Sequence, residues 1–72
     1  MLSLNEICIL KNELDTRFGV NLHFHDVCPT PFFTLEKSDE EAEKFIEEFL
    51  ESKRLSPRFS EDGKQFVVVK KS

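Results

Sequence analysis

The sequence contains no tryptophan and no tyrosine, so its aromatic content is eight phenylalanines. Phenylalanine has no polar group, and these side chains are therefore expected to supply apolar volume to a core or to a contact surface. The two cysteines, Cys8 and Cys28, are too few for a disulfide scaffold, although they would allow one bridge. We expect both thiols to be reduced, as in a bacterial-type cytoplasm.

Long apolar runs and basic residues are also scarce. No apolar run approaches the roughly 18 residues of a membrane span, and residues 1–6 lack the basic region of a secretory signal. Ten Lys and Arg against fourteen Asp and Glu give a formal net charge of −4. This charge argues against nucleic acid and against an anionic membrane surface as partners, because both are bound through Lys and Arg. We therefore expect a soluble cytoplasmic protein.

Two amphipathic helices are predicted. Ser3 and Glu6 have the spacing of a capping box, and apolar residues then recur at helical spacing until Gly19, a residue typical of helix C-termini. These signals predict a first helix over residues 4–18. A second Ser-x-x-Glu box, Ser38–Glu41, precedes a second apolar stripe, formed by Ala42, Phe45, Ile46, Phe49 and Leu50.

A β-hairpin is predicted between the helices. Alternating apolar and polar residues indicate a strand over residues 20–26, and a second strand is predicted over residues 31–37. Pro29 favours a turn between them. If residues 27–30 form a four-residue loop, the expected cross-strand pairs are Phe24 with Phe33, Leu22 with Leu35, His25 with Phe32, and His23 with Thr34.

A second hairpin is predicted at the end of the chain. Its strands cover residues 55–60, which Pro57 confines to a sheet edge, and residues 65–70, with Gly63 in the turn between them. The order α-β-β-α-β-β predicts a single α+β domain over residues 1–72, with two helices packed on one face of a four-stranded antiparallel sheet. The same order is a circular permutation of the ferredoxin-like arrangement, and by that analogy the second and fourth strands lie in the centre.

Two helices cover one face of such a sheet and leave the other face open. The first hairpin contributes to this open face the residues His23, His25, Phe32, Thr34 and Glu36. The last strand is apolar on both sides, so either Phe66 with Val68 or Val67 with Val69 joins them. We take as the candidate interaction face His23, His25, Phe32, Thr34, Phe66 and Val68. A contiguous apolar patch often marks an interaction site, and we expect a non-enzymatic protein-binding or assembly module, without a cofactor, that acts as a homodimer or on a protein partner.

The histidines and a cysteine support an alternative. His23 and His25 are two apart on one strand, so their imidazoles project to the same side at a separation that a metal ion could bridge. Cys28 in the following turn is close enough in sequence for a thiol nucleophile or redox sensor beside His25. Stacking of single-stranded nucleic acid on open-face phenylalanines is opposed by the acidic charge. A metal- or thiol-dependent site at His23, His25 and Cys28 is therefore the alternative to protein binding.

The end of the first strand carries the tetrapeptide His25-Asp26-Val27-Cys28. It resembles the motif of the RDAC family, a group of small bacterial proteins named for an Arg-Asp-Ala-Cys tetrapeptide at the end of an early strand. Asp26 and Cys28 match that motif, whereas His25 stands where the family has arginine. The acidic second helix and the segment Arg58–Asp62 are similar to the family in layout. The resemblance implies no particular activity, but it makes Asp26 and Cys28 candidate motif residues.

Overall fold

The computed structural model describes residues 2–27 and 29–71 of the chain. The elements, in order, are α1 (Leu4–Phe18), β1 (Leu22–His25), β2 (Phe32–Leu35), α2 (Glu40–Glu51), β3 (Leu55–Phe59) and β4 (Gln65–Lys70). The strands form one antiparallel sheet in the order β1-β2-β4-β3. The α+β class, the α-β-β-α-β-β order and the central position of β2 and β4 are confirmed, whereas the relation to a permuted ferredoxin-like fold stays a prediction.

The first helix has the predicted bounds because both of its ends are capped. Ser3 N donates to Glu6 Oε1 at 2.9 Å, and Glu6 N donates to Ser3 Oγ at 3.2 Å, which completes the capping box. Gly19 ends the helix with φ 63°, a left-handed conformation that favours glycine. Within residues 2–27 and 29–71, no helix is long and apolar enough to cross a membrane.

The second helix begins differently from the prediction. Its N-cap is Asp39, whose Oδ1 accepts hydrogen bonds from Glu41 N at 2.9 Å and Ala42 N at 3.2 Å. The expected capping box starting at Ser38 is therefore wrong, because the neighbouring carboxylate already accepts from the first free amides.

The N-terminus of α1 is joined to the segment that follows α2. Lys53 Nζ lies 2.8 Å from Glu6 Oε2 and 5.0 Å from the centre of the Phe49 ring. The hydrogen bond from Lys53, followed in importance by the backbone hydrogen bond from Ser3, lowers the pKa of Glu6 to about 2. One carboxylate therefore caps α1 and also contacts the end of the other helix.

The core lies between the two helices and one face of the sheet. The buried apolar residues are Ile7, Leu10, Leu14, Val20, Leu22, Phe33, Leu35, Ala42, Ile46, Leu50, Leu55 and Phe66. At its centre the rings of Phe33 and Phe66 stack, with centroids 4.8 Å apart and an angle of 9° between the ring planes. Because α1 and α2 pack against this face, no helix of the described residues covers the opposite face of the sheet.

Candidate functional site: the open sheet face

The cross-strand pairs determine which residues lie on the helix-free face. His25 is opposite Phe32 and His23 is opposite Thr34, so the predicted register of the first hairpin is confirmed. On the other side of β2, Thr34 is opposite Gln65, and β4 in turn pairs with β3. Residues directly opposite one another share a face. The open face, as the term is used below, consists of His23, His25, Phe32, Thr34, Ser56, Arg58, Gln65, Val67 and Val69.

Two residues of the candidate interaction face lie on the other side of the sheet. Phe66 is opposite Phe33 in the register and is buried in the core, with 1% of its surface exposed. Val68 packs against the same core. Placing Phe66 and Val68 on the open face was therefore wrong, and Val67 and Val69 occupy it instead. The larger side chain fills the core because it stacks there between phenylalanines of β2 and β3.

Side-chain contacts on the open face join β1 to β2. The His25 ring stacks on the Phe32 ring, with centroids 4.6 Å apart and an angle of 11° between the ring planes. His25 Nε2 also lies 2.9 Å from Thr34 Oγ1, in hydrogen-bond distance. All three side chains are half-buried. The imidazole therefore has one nitrogen in a hydrogen bond and one ring face covered, which holds Phe32 in a defined orientation.

His23 faces a carboxylate at the corner of the sheet. Its Nε2 lies 3.6 Å from Glu36 Oε1, and Asn21 Nδ2 donates to Glu36 Oε2 at 3.1 Å. The His23 and Glu36 side chains are 52% and 60% exposed. Such an exposed pair contributes little to stability, so His23 is available to a partner.

The structure does not assemble the alternative metal site among the residues that it describes. In residues 2–27 and 29–71, no group of three or more His, Cys, Asp or Glu is arranged to hold a metal ion. His25 and His23 instead contact Thr34 and Glu36, respectively. Cys28 lies outside the described residues, so its part in a thiol site and in the RDAC motif stays a prediction. Asp26 is exposed immediately after β1, and Cys8 is an exposed free thiol on α1.

Charge is distributed unequally between the two sides of the molecule. Helix α2 alone carries six glutamates and one lysine in its twelve residues. Among the described strand residues of the open face, Arg58 is the one side chain with a permanent charge, and Glu36, which was predicted on this face, lies beside His23 at its corner. The acidic character of the chain is therefore concentrated on the helix side.

A small cavity lies on the helix side, between the start of α1 and the β1–β2 loop. Its volume is about 60 Å³ and its lining is mostly apolar, with Leu2, Ile7, Phe24, Thr30, Pro31, Phe33 and Val68. A cofactor-sized ligand needs several times this volume, since ligand pockets measure roughly 300–1,000 Å³. The cavity therefore does not compete with the open face as a candidate site.

The sequence pattern did not identify Gln65, Ser56 and Arg58 as members of the open face. The uninterrupted apolar run Phe66–Val69 carries no period-2 signal that could orient β4. Only pairing with Phe33 on β2 and with Phe59 on β3 determines its orientation.

Comparison with known proteins adds no relative. No protein-family model, no curated protein and no solved structure matches the chain. Membership of the RDAC family therefore stays a prediction, and the argument for function rests on the open face itself.

Proposed function

We propose that the chain is a non-enzymatic protein-interaction module of the cytoplasm, and that its open face binds a partner protein. The observation that carries this proposal is an apolar centre on that face. Phe32 on β2 and Val67 on β4 are the residues next to the Phe33–Phe66 pair, so they lie opposite one another in the same register. Val69 follows Val67 on the same side of β4. All three are half-buried, although no helix in the described part of the chain covers them. Contiguous apolar surface surrounded by polar groups is typical of protein contact sites.

The composition of this face favours a reversible partner over a permanent face-to-face dimer. Obligate dimer interfaces are large and resemble a domain core cut in half. Here the apolar centre has three side chains, and the surrounding residues are polar: His23, Thr34, Ser56, Arg58 and Gln65. Interfaces between proteins that also exist separately are only about as apolar as the rest of the surface. The open face therefore has the composition of an interface between proteins that also exist separately.

The charge distribution defines the chemistry of the partner. The glutamates of α2 lie on the far side of the sheet and stay solvated when the open face is covered. At the rim, Arg58 donates hydrogen bonds, and each imidazole of His23 and His25 has both donor and acceptor capacity. The matching partner presents apolar side chains at its centre and hydrogen-bond acceptors around them.

Affinity purification from the native host, with a positive charge introduced at one surface position, tests the proposal. The tagged wild-type chain is compared with Phe32→Lys and with Asn12→Lys, an exposed position on α1 where the same charge is added. We expect one or more specific proteins to be retained by wild type and by Asn12→Lys, and to be lost with Phe32→Lys. Val67→Lys provides a second disruption of the same face if Phe32→Lys does not fold.

Circular dichroism and urea unfolding establish that each variant is folded before it is used. An identical set of retained proteins for all the variants would contradict the proposal.

The alternative function is metal or thiol chemistry at His23, His25 and Cys28. It is favoured by the two histidines that share one face of β1. Isothermal titration of the reduced protein with Zn²⁺ tests it, because histidine and thiolate ligands release protons when the metal binds. Saturable binding that is lost in a His23→Ala/His25→Ala double variant would support this alternative, and a flat titration would remove it.

A further inference from the structure

The positive charge of the chain is concentrated in its last hairpin. Residues 54–72, which contain β3 and β4, carry five Lys and Arg against two Asp and Glu, whereas residues 1–53 carry five against twelve. The hairpin therefore has a formal net charge of +3 within a chain whose net charge is −4. A negatively charged group of a partner is attracted to this hairpin and repelled by the rest of the molecule.

One cation of this hairpin lies on the open face without a carboxylate beside it. Lys71 is paired with Glu51 of α2, at 3.0 Å between Nζ and Oε1. Arg58 is exposed and forms no ion pair within residues 2–27 and 29–71. A guanidinium group is weakly hydrated and binds a carboxylate through two parallel N–H···O hydrogen bonds. Arg58 is therefore suited to hold a carboxylate that a partner brings.

Arg58 lies directly beside the apolar centre of the open face. It is opposite Val67 in the β3–β4 register, and Phe32 lies beside Val67 on the next strand. Neighbouring strands are about 4.8 Å apart, so the backbone of Arg58 is about 5 Å from that of Val67 and about 10 Å from that of Phe32. A partner segment whose apolar side chain covers Val67 therefore brings its adjacent side chains within reach of the guanidinium.

The other corner of the open face carries the reverse charge. Glu36 Oε1 lies 3.6 Å from His23 Nε2, and the Glu36 side chain is 60% exposed. A carboxylate of a partner is repelled by Glu36 and attracted by Arg58. The open face consequently favours one orientation of an acidic segment, with its carboxylate towards β3.

The backbone edge of β3 is closed to strand addition. β3 is an outer strand of the sheet, so the prediction that Pro57 marks such a strand is confirmed. Proline has no N–H, and Pro57 stands in the middle of β3, where it interrupts pairing with a further strand. An acidic segment that reaches Arg58 is therefore held by side chains of the open face and not by a backbone ladder along β3.

We infer that the open face binds an acidic and apolar segment of the partner protein, with an apolar side chain on Phe32 and Val67 and an Asp or Glu carboxylate that accepts hydrogen bonds from Arg58. This inference rests on the proposed function, because it names the chemistry of the partner of the same face. The apolar contact supplies most of the affinity, since a charge at the rim contributes mainly to the association rate and to specificity. Arg58 is therefore the residue that determines which partner segments the face accepts.

Selection of random peptides on the open face tests the inference without a known partner. A phage library of random peptides is bound to the immobilised wild-type chain, and the peptides that also bind Phe32→Lys are removed. The peptides that remain depend on the apolar centre of the open face. We expect them to be enriched in Asp and Glu next to apolar residues, relative to the unselected library.

Charge reversal at Arg58 tests the contact itself. Fluorescence anisotropy gives the dissociation constant of a selected peptide for wild type, for Arg58→Glu and for Lys11→Glu, which makes the same charge change at an exposed position of α1. We expect Arg58→Glu to raise this constant at least about tenfold, which corresponds to about 1.4 kcal/mol, and Lys11→Glu to leave it unchanged. Replacing the acidic residue of the peptide by lysine should restore binding to Arg58→Glu. If circular dichroism shows Arg58→Glu to be unfolded, Arg58→Gln removes the attraction alone and should still weaken binding of the acidic peptide.

The outcomes separate this inference from the proposed function. Peptides that depend on Phe32 but are not enriched in Asp and Glu would overturn the inference. Equal binding to wild type and to the Arg58 variant, or a loss in Arg58→Glu that the lysine peptide does not reverse, would also overturn it. These results would leave the protein-binding role of the open face intact. A selection that yields no Phe32-dependent peptide would overturn the inference and would count against the proposed function as well.

Discussion

Replacement of Phe66 by alanine tests which side of β4 faces the helices. Phe66 is 1% exposed and contacts two other rings, Phe33 at 4.8 Å and Phe59 at 5.1 Å between centroids. Phe32 on the neighbouring strand is half-buried on the open face and stacks on an imidazole alone. The same substitution at the two positions therefore compares a core phenylalanine with a surface phenylalanine.

The expected difference is large for a domain of this size. A buried Phe→Ala change costs about 3–5 kcal/mol, whereas truncation of the half-buried Phe32 should cost about 1 kcal/mol. At roughly 0.05–0.15 kcal/mol per residue, a chain of 72 residues is stable by about 4–11 kcal/mol. Phe66→Ala should consequently remove about a quarter or more of the total stability.

Urea unfolding followed by circular dichroism measures both free energies. With a slope of about 1 kcal/mol per molar urea for a small domain, the midpoint of Phe66→Ala should fall by about 3–5 M and that of Phe32→Ala by about 1 M. If Phe66→Ala does not fold, the pair Phe66→Leu and Phe32→Leu gives the same ranking with losses up to about 1.5 kcal/mol. Equal losses at the two positions would refute the orientation of β4, because a shift of one residue exchanges its two faces.

Three further predictions concern a titrating carboxylate and two turns. The folded-state pKa of Glu6 is about 2, against an ordinary value of 4.5, so the stabilisation by its carboxylate is fully present above about pH 4.5 and is lost as the pH falls towards 2. The urea midpoint should therefore fall less over this pH range in Glu6→Gln than in wild type. An equal pH dependence of the two proteins would contradict the pairing of Glu6 with Lys53. Arg54 has φ 60°, so Arg54→Gly should stabilise the domain by about 0.5–1 kcal/mol, and a lower melting temperature would count against the strained turn. Gly63→Ala should destabilise the domain more than Gly19→Ala. Both glycines have positive φ, but only a Cβ at position 63 would meet another atom, Glu43 Oε2, at 3.0 Å. A lower urea midpoint for Gly19→Ala than for Gly63→Ala would show that the Glu43 side chain moves away and relieves this contact.

The first half of the fold was predictable because its signals are local. The capping box at Ser3 and the left-handed cap at Gly19 are sequence signatures of helix ends, and they predicted the observed bounds of α1. The four-residue loop between the first two strands predicted the observed register, including the pair His25–Phe32. The same register placed His25, Phe32 and Thr34 on one face before any tertiary contact was known.

The second half depends on tertiary contacts that no local pattern contains. The run Phe66–Val69 is apolar on both sides, and only stacking against Phe33 and Phe59 orients it. Two adjacent residues at the start of α2, Ser38 and Asp39, are both common N-cap residues. Asp39 is the N-cap because its backbone is extended there, with φ −152°.

The central claim, that the open face contacts another protein, is tested most directly by photocross-linking in the native host. Benzoylphenylalanine replaces Phe32 on the open face or, as a control, Glu48 on the exposed side of α2. We predict a discrete light-dependent adduct from position 32 alone, heavier than the chain by the mass of a partner and lost when Val67→Lys is added. No adduct from position 32, or the same adduct from both positions, would contradict the claim.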